Sequence, residues 1–486
     1  MTEMLHDPAH KPAGRPKAWA LPQWVAPVLY AMYALTLGLV LVRMSERIVF
    51  YDTGDFIRAV YFMLTQPAEP SQYWPFRPDG FHALQNWDLS SVVFGLFGAL
   101  QRLWGAAAYD MQWHALAAKA LLLVLVLALT QRMASVMRLS WWGRALLLTL
   151  WCLALFQAHN IGMFRSFYGE YLTFLGLVVL VYGLLLPAGK WRVGVVVLGS
   201  LVAGLSKVQY FYIPTVVMLC VAWHMVKKPE TGKLAPLLVG LALAQLLCLV
   251  PLRHNPYQQL NYHQSTYFGS YLLLSQQELQ SLGLTAEQQA CVGIDGWGHR
   301  AAGPGGSQPY FVGGSCYGKQ KITLGDVLKP YLRDPLLLLK LAAYALPHHF
   351  TTQYFHVYPH LVYILPADGK SFGSGQALVT LSQWRQQWIT PLWMLLVCAG
   401  AVLGVLRSRT ATWLGPALLF MTLLIPSQMA ISLLGEGIRD LGKHLWGAQL
   451  ALDILCVLLL VQAVHWYKQR KLSAATFTDK PQPQTA

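Results

Sequence analysis

Apolar runs of membrane-crossing length alternate with short basic loops along most of the chain, and that alternation sets the first expectations. Runs at 22–43, 111–130, 141–158, 168–187, 191–206, 210–226, 234–251, 389–406, 411–432 and 444–466 each read as a transmembrane helix, giving an all-α polytopic membrane protein with about ten spans. The runs are continuous rather than alternating with period two, which excludes an outer-membrane barrel. Two stretches, 89–104 and 335–346, are too short to span and read as helices at the membrane interface. Apolar positions at Phe56, Ala59 or Val60, and Met63 predict a further interfacial helix over 53–65, capped by Asp52 or Thr53. No internal repeat is evident.

Basic residues orient the runs. Lys11, Arg15 and Lys17 precede the first span, and Arg132, Arg138, Arg144, Lys190, Arg192, Lys227, Lys228 and Lys233 fall in alternate loops. With positive charge inside, both termini are cytoplasmic. The chain then divides into a tail (1–21), a transmembrane core (22–251) with an extracytoplasmic first loop (44–110), a large extracytoplasmic region (252–388), C-terminal helices (389–466) and a second tail (467–486), disordered after Ala474. The glycine-dense segment Gly293 to Gly318 reads as a flap. Of seven cysteines, Cys291 and Cys316 share this polar region and are expected to form a disulfide.

Composition narrows the chemistry. Apolar residues make up 55% of the chain and charged ones 12%, so ionisable groups gathered at a membrane mouth are candidates for function. The net charge of +15 resides in loops beside the membrane, which points to anionic lipid and not to nucleic acid. Four polar groups stand out on the expected outer side. They are Asp52, Asp55 and Arg58; Arg165 to Glu170; Lys207 to Gln209; and Glu436 to His444, where a continuing helix would set Arg439 and Lys443 on one side. For Asp52 and Asp55, helix capping competes with a role as catalytic base or metal ligand. There is no His and Cys metal motif and no nucleotide-binding loop. Lys119 and Asp453 lie at similar depth in their spans, which predicts that they pair.

In order along the chain, Gly54-Asp55-Phe56-Ile57-Arg58, Phe167-Tyr168-Gly169-Glu170, Ser206-Lys207-Val208-Gln209 and the Gly435 to Asp453 stretch with Lys443-His444 resemble the GT-C superfamily of membrane glycosyltransferases. More narrowly they resemble the bacterial WsfD-type glycan-biosynthesis hexosyltransferases. Gly169 stands where that pattern has Ser, and Val208 where Pro is usual. The resemblance implies transfer of a sugar from a polyprenyl-phosphate-linked donor to a glycan or lipid-linked acceptor outside the bacterial inner membrane. Asp55, with Asp52, is then the expected catalytic residue, and Asp52 and Asp55 are the expected ligands of any divalent metal, magnesium or manganese. Donor phosphate and substrate fall to Arg58, Arg165, Glu170, Lys207, Gln209, Glu436, Arg439, Lys443 and His444. Two alternatives stay open: a glycan polymerase or ligase working through Arg253, His254 and His263, and a lipid or solute transporter.

Overall fold

The computed structural model describes residues 24–50, 63–67, 71–80, 82, 87–227, 234–253, 255–306, 309–314, 316–319, 321–349, 362–364, 375–407 and 413–478. Asp52, Asp55, Arg58 and His254 lie outside the described residues, as does most of the helix expected over 53–65. At the end of that stretch, Leu64 is not helical but bridges Phe76.

The chain is mostly helical. In order the main helices are α1 (Val25–Met44), α2 (Leu89–Leu103), α3 (Met111–Met137), α4 (Trp141–Leu155), α5 (Ala158–Phe164), α6 (Glu170–Leu185), α7 (Lys190–Ser206), α8 (Ile213–Lys227), α9 (Ala235–Cys248), α10 (Gln258–Tyr267), α11 (Leu324–Arg333), α12 (Leu337–His349), α13 (Gln376–Trp388), α14 (Pro391–Arg407), α15 (Gly415–Glu436) and α16 (Trp446–Thr478). Among the described residues six helices are long and apolar enough to cross a membrane, and up to eight do so if each of two bent pairs is one span. The bent pairs are α4 with α5, at 72°, and α13 with α14, at 80°. Two expected spans, α6 and α7, form helices of 16 and 17 residues. The last helix runs to Thr478, well past the expected span end and into the region read as a disordered tail.

Lipid-facing and core-facing surfaces separate clearly. On α1, Val28, Leu29, Met32, Leu35 and Leu39 are exposed, as a helix against acyl chains requires. In contrast α6 is buried almost throughout and forms the axis of the bundle. Its seam with α7 depends on glycine: a Cβ on Gly176 would lie 2.5 Å from the Ala203 nitrogen, and one on Gly199 2.7 Å from the Leu180 nitrogen. Small residues let two membrane helices approach to backbone contact, and here they draw both ends of a helical hairpin into register.

The bent pairs meet at their breaks. Ser382 Oγ of α13 accepts the Ala158 N–H at 2.7 Å, a donor left open where α5 begins, and donates to Gln157 Oε1 at 3.0 Å. Three positions later on the same helix, Arg385 grips Asp453 of α16 through two hydrogen bonds, Nε to Oδ1 at 2.8 Å and Nη2 to Oδ2 at 2.5 Å. The expected Lys119–Asp453 pair is therefore not formed, and Lys119 Nζ donates instead to the Ser45 carbonyl at 3.2 Å. Equal depth does not fix azimuth, and Arg385 presents a bidentate fork that a lysine lacks.

Residues from 255 to 333 build a polar cap with a small core of its own around Tyr267, Tyr271, Leu279, Cys291, Ile322 and Val327. The Cys291–Cys316 disulfide is formed, with the two Cα atoms 5.8 Å apart. The glycine-dense segment is a built hairpin rather than an open flap. Within it the strand His299–Arg300 pairs antiparallel with the strand Tyr310–Phe311, and buried Asp295 accepts from the Trp297 and His299 N–H groups.

Candidate functional site

A cleft of about 600 Å³ lies between the cap and the adjoining ends of α2, α6, α7 and α15. Asp88 brings α2 to its wall. The Asp88 carboxylate accepts from the Ser91 N–H at 2.8 Å and from both the Ser90 and Ser91 hydroxyls, which caps α2. Burial raises its pKa, while the Ser91 N–H, the two hydroxyls and the positive charge of Lys207 pull the other way.

Lys207 stands at the end of α7 and Glu170 opens α6, so the tight hairpin between those helices brings them together. Lys207 Nζ reaches Glu170 Oε1 at 2.6 Å. Glu170 is fully buried, and its second oxygen has no hydrogen-bond partner among the described residues. Lys443 enters from the other side. Its Nζ lies 4.3 Å from the centroid of the Tyr168 ring, and Lys207 Nζ lies 5.8 Å from the same centroid, so two cations from distant parts of the chain meet at one aromatic ring.

His444 ties the next wall together. Its Nε2 is 2.7 Å from Glu436 Oε2 and its Nδ1 is 2.9 Å from Gln209 Oε1. Gln209 Nε2 donates to the His444 carbonyl at 3.2 Å, which sets the orientation of that amide. Gln428 Nε2 also donates to the His444 carbonyl at 2.8 Å, and Tyr212 donates to Gln428 Oε1 at 2.6 Å.

The structure thus gathers Glu170, Lys207, Gln209, Glu436, Lys443 and His444 in one region, of which Lys207, Gln209, Glu436 and His444 line the cleft directly. Two predicted residues fall elsewhere. Arg165 is buried at the end of α5 and is not among the cleft-lining residues; its charge is felt at Asp110, whose carboxyl is raised by burial and lowered by the Gln112 N–H and Arg165. Arg439 binds the cap hairpin, with Nε 3.1 Å from Asp295 Oδ2 and 3.3 Å from Asp440 Oδ1 and its guanidinium over the Trp297 ring. The continuous helix expected to align Arg439 with Lys443 ends at Glu436. Gly437 (φ +63°) and Asp440 (φ +50°) both take left-handed backbone, and a Cβ on Gly437 would strike the Phe268 and Gln264 carbonyls.

Several lining residues were not singled out from sequence for this site. Asp88 and Ser90 form a recognisable capping signature, Asp-Leu-Ser-Ser, ahead of an apolar run. Arg253, named only for the polymerase alternative, lines the cleft with Asn255, Tyr257 and Asn261, whereas His263 is buried in the cap with Nε2 3.1 Å from the Ile294 carbonyl. The apolar part of the lining includes Leu324, Val327 and Leu328 of α11 and Ile431 and Leu434 of α15. Among the described residues no group of three or more His, Cys, Asp or Glu is placed to hold a metal ion.

A family model described as the YfdI N-terminal transmembrane domain matches residues 315–482, a stretch that carries α11 to α16 and the Glu436 and His444 side of the cleft. The chain is also similar to the uncharacterized protein YfdI of Escherichia coli (strain K12), 24% identical over 324 residues that cover 65% of this chain and 68% of that protein. Together with the apolar helices, these likenesses decide the broad class. The chain is a membrane protein.

Proposed function

We propose that this protein is a membrane glycosyltransferase that moves a sugar, of the hexose class, from a polyprenyl phosphate donor to a cell-surface glycan or lipid-linked acceptor on the extracytoplasmic face of the bacterial cytoplasmic membrane. The observation that carries this reading is the convergence of Lys207 and Lys443 on Tyr168 beside a cleft lined by both amides and leucines. A lipid-linked sugar phosphate has that same division: an anionic group for fixed cations, hydroxyls for amides and carboxylates, and a hydrocarbon chain for leucines. The GT-C resemblance of the sequence motifs supports the same reaction. In this reading α6 and α7 are spans in addition to the eight, which gives ten with both termini cytoplasmic.

In the reaction the acceptor hydroxyl attacks the anomeric carbon, its proton passes to a carboxylate, and the bond from that carbon to the phosphate oxygen breaks. Asp55 is the proposed base, with Asp52 beside it, on the sequence motif alone. Lys207 and Lys443 stabilise the charge that grows on the departing phosphate. The pair of Glu436 and His444 holds sugar hydroxyls. Arg253 in the cleft favours one competing reading, a polymerase or ligase centred on that guanidinium. Transfer measured from a defined polyprenyl phosphate sugar separates them. Asp55→Asn is expected to abolish transfer with donor binding retained, and Lys207→Ala to weaken donor binding about ten-fold or more, the scale of one charged hydrogen bond. Wild-type turnover in Asp55→Asn, with loss only in Arg253→Gln, would overturn the proposal.

A further inference from the structure

At the end of the bundle away from the cleft lies a second cavity, of about 190 Å³, lined by Arg132, Arg192, His224 and Trp413 with an aliphatic rim of Leu184, Leu186, Pro187, Ala188 and Pro416. Among the described residues that line it there is no carboxylate. Arg132 has a structural task, since its Nε donates to the Leu185 carbonyl at the end of α6 at 2.8 Å. Arg192 has none of that kind. It is only 9% exposed, and its buried Nε makes no hydrogen bond among the described residues. The buried indole N–H of Trp413 likewise has no acceptor among the described residues. An orphaned guanidinium nitrogen and an orphaned indole nitrogen on one cavity are expensive unless an acceptor joins them. The first turns of α7, which carries Arg192, and of α15, which carries Pro416, also bring their positive ends to this cavity.

The depth of the cavity identifies the class of ligand. α7 runs from Arg192 here to Lys207 at the cleft, and α15 from Pro416 to Glu436; α8 likewise carries His224 here, while Phe211 just before it lines the cleft. At 1.5 Å per residue these spacings are roughly 20–30 Å, close to the thickness of a hydrocarbon layer. Trp191, next to Arg192, is 78% exposed, as tryptophans at the headgroup level are.

We propose that this cavity is a phosphate-binding site at the membrane interface opposite the cleft, built for the phosphodiester headgroup of an anionic phospholipid. Arg192 and Arg132 supply the charge, Trp413 donates to a phosphate oxygen, and the aliphatic rim accepts the first carbons of the acyl chains. The proposal stands apart from the chemistry of the cleft. The same donors would suit free inorganic phosphate, so the test has two arms.

The purified full chain in a zwitterionic detergent is titrated with phosphatidylglycerol or with inorganic phosphate, and bound lipid is counted by native mass spectrometry beside the thermal unfolding midpoint. The wild type is expected to retain phosphatidylglycerol and to unfold at a higher temperature with it. Arg192→Gln should weaken that binding about ten-fold or more. Trp413→Phe, which keeps a ring and removes only the N–H donor, should weaken it several-fold and supplies the answer if Arg192→Gln does not assemble. A response to inorganic phosphate that both substitutions diminish would support the same site with a free anion as its occupant. Equal binding of lipid and phosphate by the wild type and both variants would overturn the proposal.

Discussion

Glu170 is fully buried, and Lys207 is the cation that holds its charge there. Removing one member of a buried pair strands the other, at a cost of about 3–5 kcal/mol, whereas neutralising the carboxylate as well removes most of that cost. Lys207→Ala is therefore expected to lower the unfolding midpoint in detergent sharply, and Lys207→Ala with Glu170→Gln to recover much of it; equal destabilisation by the single and double variants would refute the coupling. In the cap, His263 is biased towards its neutral form. Burial lowers its pKa against the raising effects of the Ile294 carbonyl and of Asp295, and burial lowers that of His349 against the Gly305 carbonyl and Asp440. Below about pH 6.5 the unfolded imidazoles take up protons that the folded ones refuse. Stability from these two groups is complete above that pH and is lost as pH falls through it towards the folded values. Hydrogen-exchange protection factors in residues 255–349, taken relative to the intrinsic exchange rate at each pH, should thus fall between pH 7.5 and 5.5, and less so in His263→Gln. At this scale much of the site was legible: Glu170, Lys207, Gln209, Glu436, Lys443 and His444 stood out as polar residues at the ends of apolar runs. Asp88 did not stand out, since nothing in an Asp ahead of Ser-Ser distinguishes a cleft residue from an ordinary helix cap, and Arg439 was misplaced because no periodicity reports a left-handed Asp440.

At the scale of elements, the α6 and α7 hairpin is the part that sets the geometry of the cleft. Gly176→Leu would push a side chain into the Ala203 backbone and separate the helices, carrying Lys207 away from Glu170. The expected outcome is a folded but less stable protein whose loss of donor binding matches that of Lys207→Ala; a Gly176→Leu variant with unchanged binding would show that the seam does not govern the site. Helix existence followed from apolar length. Breaks did not, because α13 reads Gln-Ala-Leu-Val-Thr-Leu-Ser-Gln-Trp-Arg-Gln-Gln-Trp, a polar pattern that sequence assigns to a loop region. Only the contact of Ser382 with Ala158 and of Arg385 with Asp453 shows why such a helix enters the bundle. The disulfide was legible because its two cysteines alone share a polar region, whereas the hairpin it closes depends on Asp295 accepting two backbone N–H groups, a detail of local geometry.

For the whole molecule, the aqueous and lipid-facing parts divide the labour: the bundle provides two polar ends joined by shared helices, and the cap closes over one of them. Positive charge in alternate loops made this division legible, while lateral neighbours stayed hidden, because depth along a helix is written in the sequence and direction around the bundle is not. Contacts between early and late parts of the chain, among them the Ser382 bond to Ala158, govern how the chain is made. The strand Ile48–Phe50 pairs with the strand Val362–Ile364, the Ala158 N–H waits for Ser382, and Asn160 accepts from the Trp446 indole, 286 residues later. At a synthesis rate of roughly 5–20 residues per second, the early half spends on the order of 15–60 s with these buried polar groups unmatched. Two fragments divided between residues 365 and 374 and produced together are expected to assemble, while the first fragment alone should be cleared rapidly, as pulse labelling would report. The nascent N-terminal half is thus a client for whatever insertase or membrane chaperone shelters exposed polar groups, and its survival is set by the arrival time of a helix that ribosomes have not yet reached.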